Sequence, residues 1–157
     1  MITRFERFTV AILGICRSIQ KIEREEMIKY GLKGSYAQYL TVMNRFPDGI
    51  TAARLSELCD KDKAAVSRAV AEMEEMELIY RDDVNDSGYR TLLKLTPDGQ
   101  EAADVVREKG LAAVEIAGGG LTEEQRETMY QALEQISGNL REISRQGLPQ
   151  RKQENRA

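Results

Sequence analysis

Thr51-Ala-Ala-Arg-Leu-Ser-Glu-Leu-Cys-Asp-Lys-Asp-Lys-Ala-Ala-Val-Ser-Arg-Ala-Val-Ala-Glu-Met73 decides the fold. Thr51 is a capping residue ahead of Leu55 and Leu58, whose spacing places both on one face of a short helix. Cys59-Asp60-Lys61 ends that helix, and Asp62 caps a second one with Val66, Val70 and Met73 as its apolar face. Two short helices joined by a tight turn are therefore predicted. Upstream, Tyr36, Tyr39, Met43 and Phe46 mark a helix that stops at Pro47, because the residue before proline is pushed out of helical space. Downstream, Leu78-Ile79-Tyr80-Arg81, a polar tip at Asp82 to Gly88 and Tyr89-Arg-Thr-Leu-Leu-Lys-Leu95 read as a half-buried hairpin. Leu93 and Leu95 face one way and Lys94 the other.

Long helices flank this module. Phe5, Phe8, Ile12, Ile15, Ile19 and Ile22 repeat at helical spacing through a charged stretch. No small-residue cleavage site follows, so the segment reads as an amphipathic helix and not as a signal peptide. After Leu95, Thr96 caps and Pro97 opens a helix through Val105, Val106, Leu111 and Val114 to Gly118-Gly-Gly120. Thr122 and Gln125 form a capping box for a last helix seamed by Met129, Leu133, Ile136, Leu140 and Ile143. The expected organisation is an N-terminal dimerisation helix over 1–32, a central module over 33–96, C-terminal dimerisation helices over 97–146 and a polar, disordered tail over 147–157. Each terminal seam is longer than a small module needs to cover its own core, so a homodimer is expected, with an intramolecular helix pair as the alternative.

Composition narrows the chemistry. The 157 residues hold 23 Lys+Arg against 26 Asp+Glu, no histidine and two cysteines. Without histidine there is no His-ligated metal, no Ser-His or Cys-His nucleophile pair and no imidazole switch. Cys16 and Cys59 alone make neither a zinc site nor a CxxC redox pair, and no cofactor is expected. No apolar window reaches 18 residues, which predicts a soluble, cytoplasmic protein with no membrane partner. A net charge of −3 argues against indiscriminate nucleic-acid binding but leaves room for a small basic face.

Helix, turn, helix and hairpin in that order make a winged helix-turn-helix, so the fold class is mainly α with a small β-hairpin wing, flanked by dimerisation helices. In that fold the second helix enters the major groove and the wing covers flanking backbone. Lys63, Ala64, Ser67 and Arg68 share the face opposite Val66, Val70 and Met73. Small residues let the backbone approach the bases, and Arg68 can bond a guanine edge in bidentate fashion. The bland alternative for Lys63 and Arg68 is a solvated helix face, against which their position ahead of a wing weighs. Thr51, Arg54, Lys61, Arg90 and Lys94 are backbone and wing candidates, with capping or solvation as the other reading. Glu72-Met-Glu-Glu-Met-Glu77 is acidic and is expected to lie away from the duplex.

Leu55-Ser-Glu-Leu58, Ala65-Val-Ser-Arg68, Met73-Glu-Glu-Met-Glu-Leu-Ile79 and Leu95-Thr-Pro-Asp-Gly99 together resemble the MarR family of bacterial winged-helix regulators. The resemblance spans about Ser35 to Gly99 at motif level. It implies a homodimer with intertwined terminal helices, two lobes reading a near-palindromic operator in double-stranded DNA, repression, and often a small-molecule pocket between the dimer and DNA regions. The family wing commonly carries Asp-x-Arg. Here Asp86-Ser87-Gly88 places glycine where that arginine stands, and Arg90 is the candidate replacement.

Some relatives sense oxidants through a first-helix cysteine, but the corresponding position falls near Ala11. Cys16 is therefore expected to be buried packing, and Cys59 also structural. Cys16, Tyr30, Tyr36, Tyr39 and Met43 are the candidates for an effector pocket, against the plainer reading of an aromatic core stripe. Three function classes compete: a sequence-specific DNA-binding regulator, a helical dimeric protein–protein interaction module without DNA binding, and an enzyme. The enzyme is disfavoured because no carboxylate pair in an apolar pocket is identifiable.

Overall fold

The structure, a computed structural model, describes residues 3–82 and 91–148. Helices α1 (Arg4–Lys29), α2 (Tyr36–Met43), α3 (Ala52–Cys59) and α4 (Lys63–Glu75) precede strands β1 (Ile79–Asp82) and β2 (Leu92–Leu95), and helices α5 (Pro97–Ala117) and α6 (Glu123–Gln146) follow. The strands are antiparallel, pairing Ile79 with Leu95 and Asp82 with Leu92. Ile50 adds a bridge to Leu93 that the sequence reading did not anticipate, its N–H donating at 3.0 Å and its carbonyl accepting at 2.8 Å. The chain packs as two units that divide at Glu115–Ile116.

In the first unit one core gathers Leu40, Met43, Leu55, Val66, Val70, Met73, Leu93 and Val106, all 2% exposed or less. Ala102, Ala103 and Val106 bring the first half of α5 into that core, and Met27 brings in the end of α1. The first half of α5 thus packs with the winged module. Met27 is the one buried residue of α1, and Phe5, Val10 and Ile15 stay more than half exposed.

The second unit consists of the glycine turn and α6. Arg126 donates to the Gly118 carbonyl at 3.0 Å, and the Thr122–Gln125 capping box forms in both directions. No residue of α6 is buried; Met129, Leu133, Ile136 and Leu140 all lie exposed along it. Among the described residues no helix is long and apolar enough to cross a membrane.

Three sequence expectations need correction. Leu58 is 39% exposed, and the buried face of α3 is Leu55 with Cys59. The spacing of four, not three, turns both toward α2, where Gln38 donates to the Cys59 carbonyl at 3.0 Å. Helix α2 ends at Met43, short of Pro47, because Arg45 and Phe46 bond in three-residue turns to Val42 and Met43. Cys16 is exposed, not buried, since only the last turn of α1 reaches the core.

Candidate nucleic-acid interface

The turn before α4 is fixed on both sides. Asp60 adopts a left-handed conformation, φ 50°, and the Lys61 N–H bonds back to the Ser56 carbonyl at 3.1 Å. Ser56 Oγ donates in turn to the Lys61 carbonyl, and Asp62 caps α4 by accepting from the Ala65 N–H at 2.7 Å. Val66, Val70 and Met73 then lock one face of α4 into the core, which leaves Lys63, Ala64, Ser67 and Arg68 exposed on the other. Arg68 forms no hydrogen bond or ion pair among the described residues. A guanidinium and an ammonium without hydrogen-bond partners among the described residues, beside small side chains on a helix anchored from behind, form a surface suited to a polyanionic groove.

The acidic second half of α4 is engaged within the chain. Glu72 Oε2 accepts from Lys33 Nζ at 2.7 Å and from the Tyr36 hydroxyl at 2.8 Å. Those bonds, Lys33's first, hold the Glu72 carboxyl below the ordinary glutamate range. On the other side of the helix, Arg81 of β1 donates to Glu74 at 2.9 Å. The sequence places these acids away from the duplex but does not name their partners, because Lys33 and Tyr36 stand 39 and 36 residues from Glu72.

The weaker contact candidates have local roles. Thr51 caps α3 by accepting from the Arg54 N–H at 3.2 Å, and Arg54 pairs with Glu57 at 2.7 Å. Lys61 is exposed at the turn. Lys94 is drawn to Asp82 at 2.7 Å across the hairpin. Arg90 and the Asp86-Ser87-Gly88 tip lie outside the described residues.

The five effector candidates differ in their surroundings. Tyr36, Tyr39 and Met43 are buried in the core, Tyr30 is exposed, and Cys16 lies on the exposed stretch of α1. Tyr39 lines a small cavity with Arg24, Gln38 and Lys61. A larger cavity of about 610 Å³ opens between α1, α2 and α5, lined by Ile19, Glu23, Thr41, Asn44, Arg45, Gln100, Asp104, Arg107, Leu111 and Val114. Gln100 donates to Asn44 at 2.6 Å and to Asp104 at 3.1 Å, and Asn44 donates to Asp104 at 3.2 Å. These bonds hold the Asp104 carboxyl below its ordinary range. Burial pushes Glu23 up, opposed by Arg45. Thr41 Oγ1 is buried without a hydrogen-bond partner among the described residues. The sequence did carry a signal for this wall: Gln100, Asp104 and Arg107 stand at spacings of four and three, in line with Leu111 and Val114.

A MarR family model matches residues 30–87, a span that begins at the C-cap of α1 and takes in α2, α3, α4 and β1. Over that span the winged helix-turn-helix of this chain is similar to the MarR family. Regulators of that family are DNA-binding proteins and not enzymes. The chain is also 26% identical over 128 residues to YybA of Bacillus subtilis, an uncharacterised HTH-type transcriptional regulator, covering 80% of this chain and 83% of that one. In fold it is similar to a MarR-family regulator from Listeria monocytogenes solved with 26-mer DNA, at a TM-score of 0.72 and 22% identity over 88% of this chain and 94% of that one. It is likewise similar to a MarR-family regulator from Silicibacter pomeroyi, at a TM-score of 0.73 and 20% identity over 88% and 92% of the two chains.

Proposed function

We propose that this protein is a homodimeric repressor that reads a near-palindromic operator in double-stranded DNA, using the exposed face of α4 in each protomer, and that a small molecule in the α1–α2–α5 cavity releases it. The observation that carries the reading is the helix α4 itself: Val66, Val70 and Met73 are buried behind it while Lys63, Ala64, Ser67 and Arg68 face out. Residues 33–96 supply the DNA-binding module, and 1–32 with 97–146 supply the dimer. Support for the dimer is the exposed apolar series on α1 and α6, which a second copy would cover. Two-fold symmetry would set two recognition helices one helical turn of DNA apart. Repression is the usual sign in the family, and the work belongs in the cytoplasm, where the DNA is. Support for an effector is a cavity with two arginines, two carboxylates and the buried Thr41 hydroxyl on its walls.

Selection of bound sites from a random duplex pool tests the reading. A two-fold motif is expected, with affinity falling steeply as salt rises. Arg68→Ala should lower affinity for that motif by about 1–3 kcal/mol. A pool that yields no motif, with a protein partner bound tightly instead, would assign the fold to a protein-interaction role.

A further inference from the structure

Arg68 and Glu72 stand four residues apart on α4, a spacing at which an arginine and a carboxylate meet across one turn. The order, base before acid, is the weaker of the two but still attractive. No hydrogen bond or ion pair joins the two, although the Arg68 charge still acts on the Glu72 carboxyl from a distance. Glu72 Oε2 accepts from Lys33 Nζ at 2.7 Å and the Tyr36 hydroxyl at 2.8 Å, and Arg68 forms no hydrogen bond or ion pair among the described residues. Tyr36 is 1% exposed, so its hydroxyl is a donor fixed by the core. Lys33 Nζ lies 5.8 Å from the Tyr36 ring centroid, so the second donor is organised by the first.

We propose that Lys33 and Tyr36 are positioning residues for DNA reading: they hold the Glu72 carboxylate off Arg68, whose guanidinium is thereby left open to the duplex. Neither residue lies on the exposed face of α4, so their effect on DNA is indirect. Remove both donors and the carboxylate is released toward Arg68, where it competes with the DNA for the same guanidinium. This inference rests on the reading of α4 as the recognition helix.

The test is a set of affinities for a duplex carrying the site that the wild-type protein enriches from a random pool. The proteins are the wild type, Lys33→Ala with Tyr36→Phe, Glu72→Gln, the triple variant and Arg68→Ala. The two-donor variant should bind about two- to fivefold more weakly, the range of an exposed ion pair gained in the free protein. Glu72→Gln should bind no more weakly than wild type, and in its background the loss from removing both donors should vanish. A merely structural tie would instead make Glu72→Gln itself weak, and a direct Lys33–phosphate contact would keep the loss with Gln at position 72. Either result overturns the proposal while Arg68→Ala remains weak and the recognition reading stands. If no site is enriched, or Arg68→Ala binds as wild type, the recognition reading falls and the proposal falls with it.

Discussion

Gly99 lies so close to Leu78 that a Cβ on the glycine would sit 1.9 Å from the Leu78 carbonyl oxygen. The first turn of α5 is pressed there against the backbone of the turn that joins α4 to β1. Thr96 completes the junction: its N–H bonds the Leu78 carbonyl at 3.0 Å, its hydroxyl donates to the Glu77 carbonyl at 2.6 Å, and it accepts from the Gly99 N–H at 3.1 Å. The obstacle is backbone, so no side chain can swing aside. Gly99→Ala should therefore destabilise the protein by about 3 kcal/mol, the upper end of overpacking costs, despite alanine's better helix propensity. Urea denaturation measures it, and an unchanged midpoint would mean that α5 does not dock so closely.

Helices α1, α3 and α4 end alike, around Gly31, Asp60 and Glu77, yet only α1 uses glycine. At the end of α1 the Leu32 N–H bonds the Met27 carbonyl at 3.1 Å, around Gly31 at φ 98°. At the end of α4 the Leu78 N–H bonds the Met73 carbonyl at 2.9 Å, around Glu77 at φ 57°. Left-handed backbone costs an L-residue roughly 1–2 kcal/mol, partly offset in a glycine by its greater unfolded freedom. Glu77→Gly should then raise stability by about 0.5 kcal/mol. The Thr96 bond goes to a backbone carbonyl and survives the change. Thermal unfolding of the two proteins is the measurement, and a lower midpoint for the glycine variant would contradict the strain.

The winged module was legible because its signals are local. Thr51, Asp62, Thr96 and Thr122 all cap where their residue types and the following apolar periods place them. Packing partners were less so: Leu58 has the hydrophobicity of a core residue, and only the tertiary position of α2 decides that Cys59 takes its place. The Lys33–Glu72–Tyr36 cluster and the Gln100–Asn44–Asp104 network were invisible for a related reason. The bonds of Tyr36 to Glu72 and of Asn44 to Gln100 and Asp104 join residues far apart in sequence; the polar spacing along α5 marks one wall but does not announce its partner on another element. The exposed face of α4 was the easiest part of the site to foresee, since it is what remains once the buried face is identified.

Glu23 gives a pH prediction. Its carboxyl is pushed up from the ordinary 4.5 by burial, against the attraction of Arg45. A folded-state pKa raised above the unfolded one means that the native state holds its proton longer, so stability falls as pH rises through that window and stays lower above it. Glu23→Gln mimics the protonated form. It should raise the thermal midpoint at pH 7, and the advantage should close below the ordinary glutamate pKa, where both side chains are neutral. A constant difference across both conditions would show that packing, not ionisation, separates the two proteins.

Burial raises the Cys59 thiol to about 11, opposed by the charges of Lys61 and Arg45. A thiol reagent at neutral pH reacts with thiolate, so Cys59 has neither the ionisation nor the access. Its modification should wait for unfolding, with a rate that tracks urea concentration as global stability does. Labelling followed by peptide mapping measures it. Fast reaction at Cys59 in the native protein would mean that the α2–α3 contact opens on its own.

Along α6, Met129, Leu133, Ile136 and Leu140 are between 37% and 52% exposed, while the same helix is capped at its start and bears Glu142 and Arg145 near its end. Helix propensity does not require this apolar row, and water disfavours it. If a second copy covers it, each leucine or isoleucine contributes on the order of 1.5–3 kcal/mol when fully buried. A charge at the centre of the row would lose that contribution and add the cost of desolvating a carboxylate. Leu133→Asp should shift sedimentation equilibrium from dimer toward monomer at micromolar protein, whereas Glu134→Lys, one position off the row, should not. The monomer should retain its helical circular dichroism, because Leu133 is not part of the buried core, and it should lose operator affinity through the loss of the second half-site. A Leu133→Asp protein that stays fully dimeric would move the dimer contact off this face of α6.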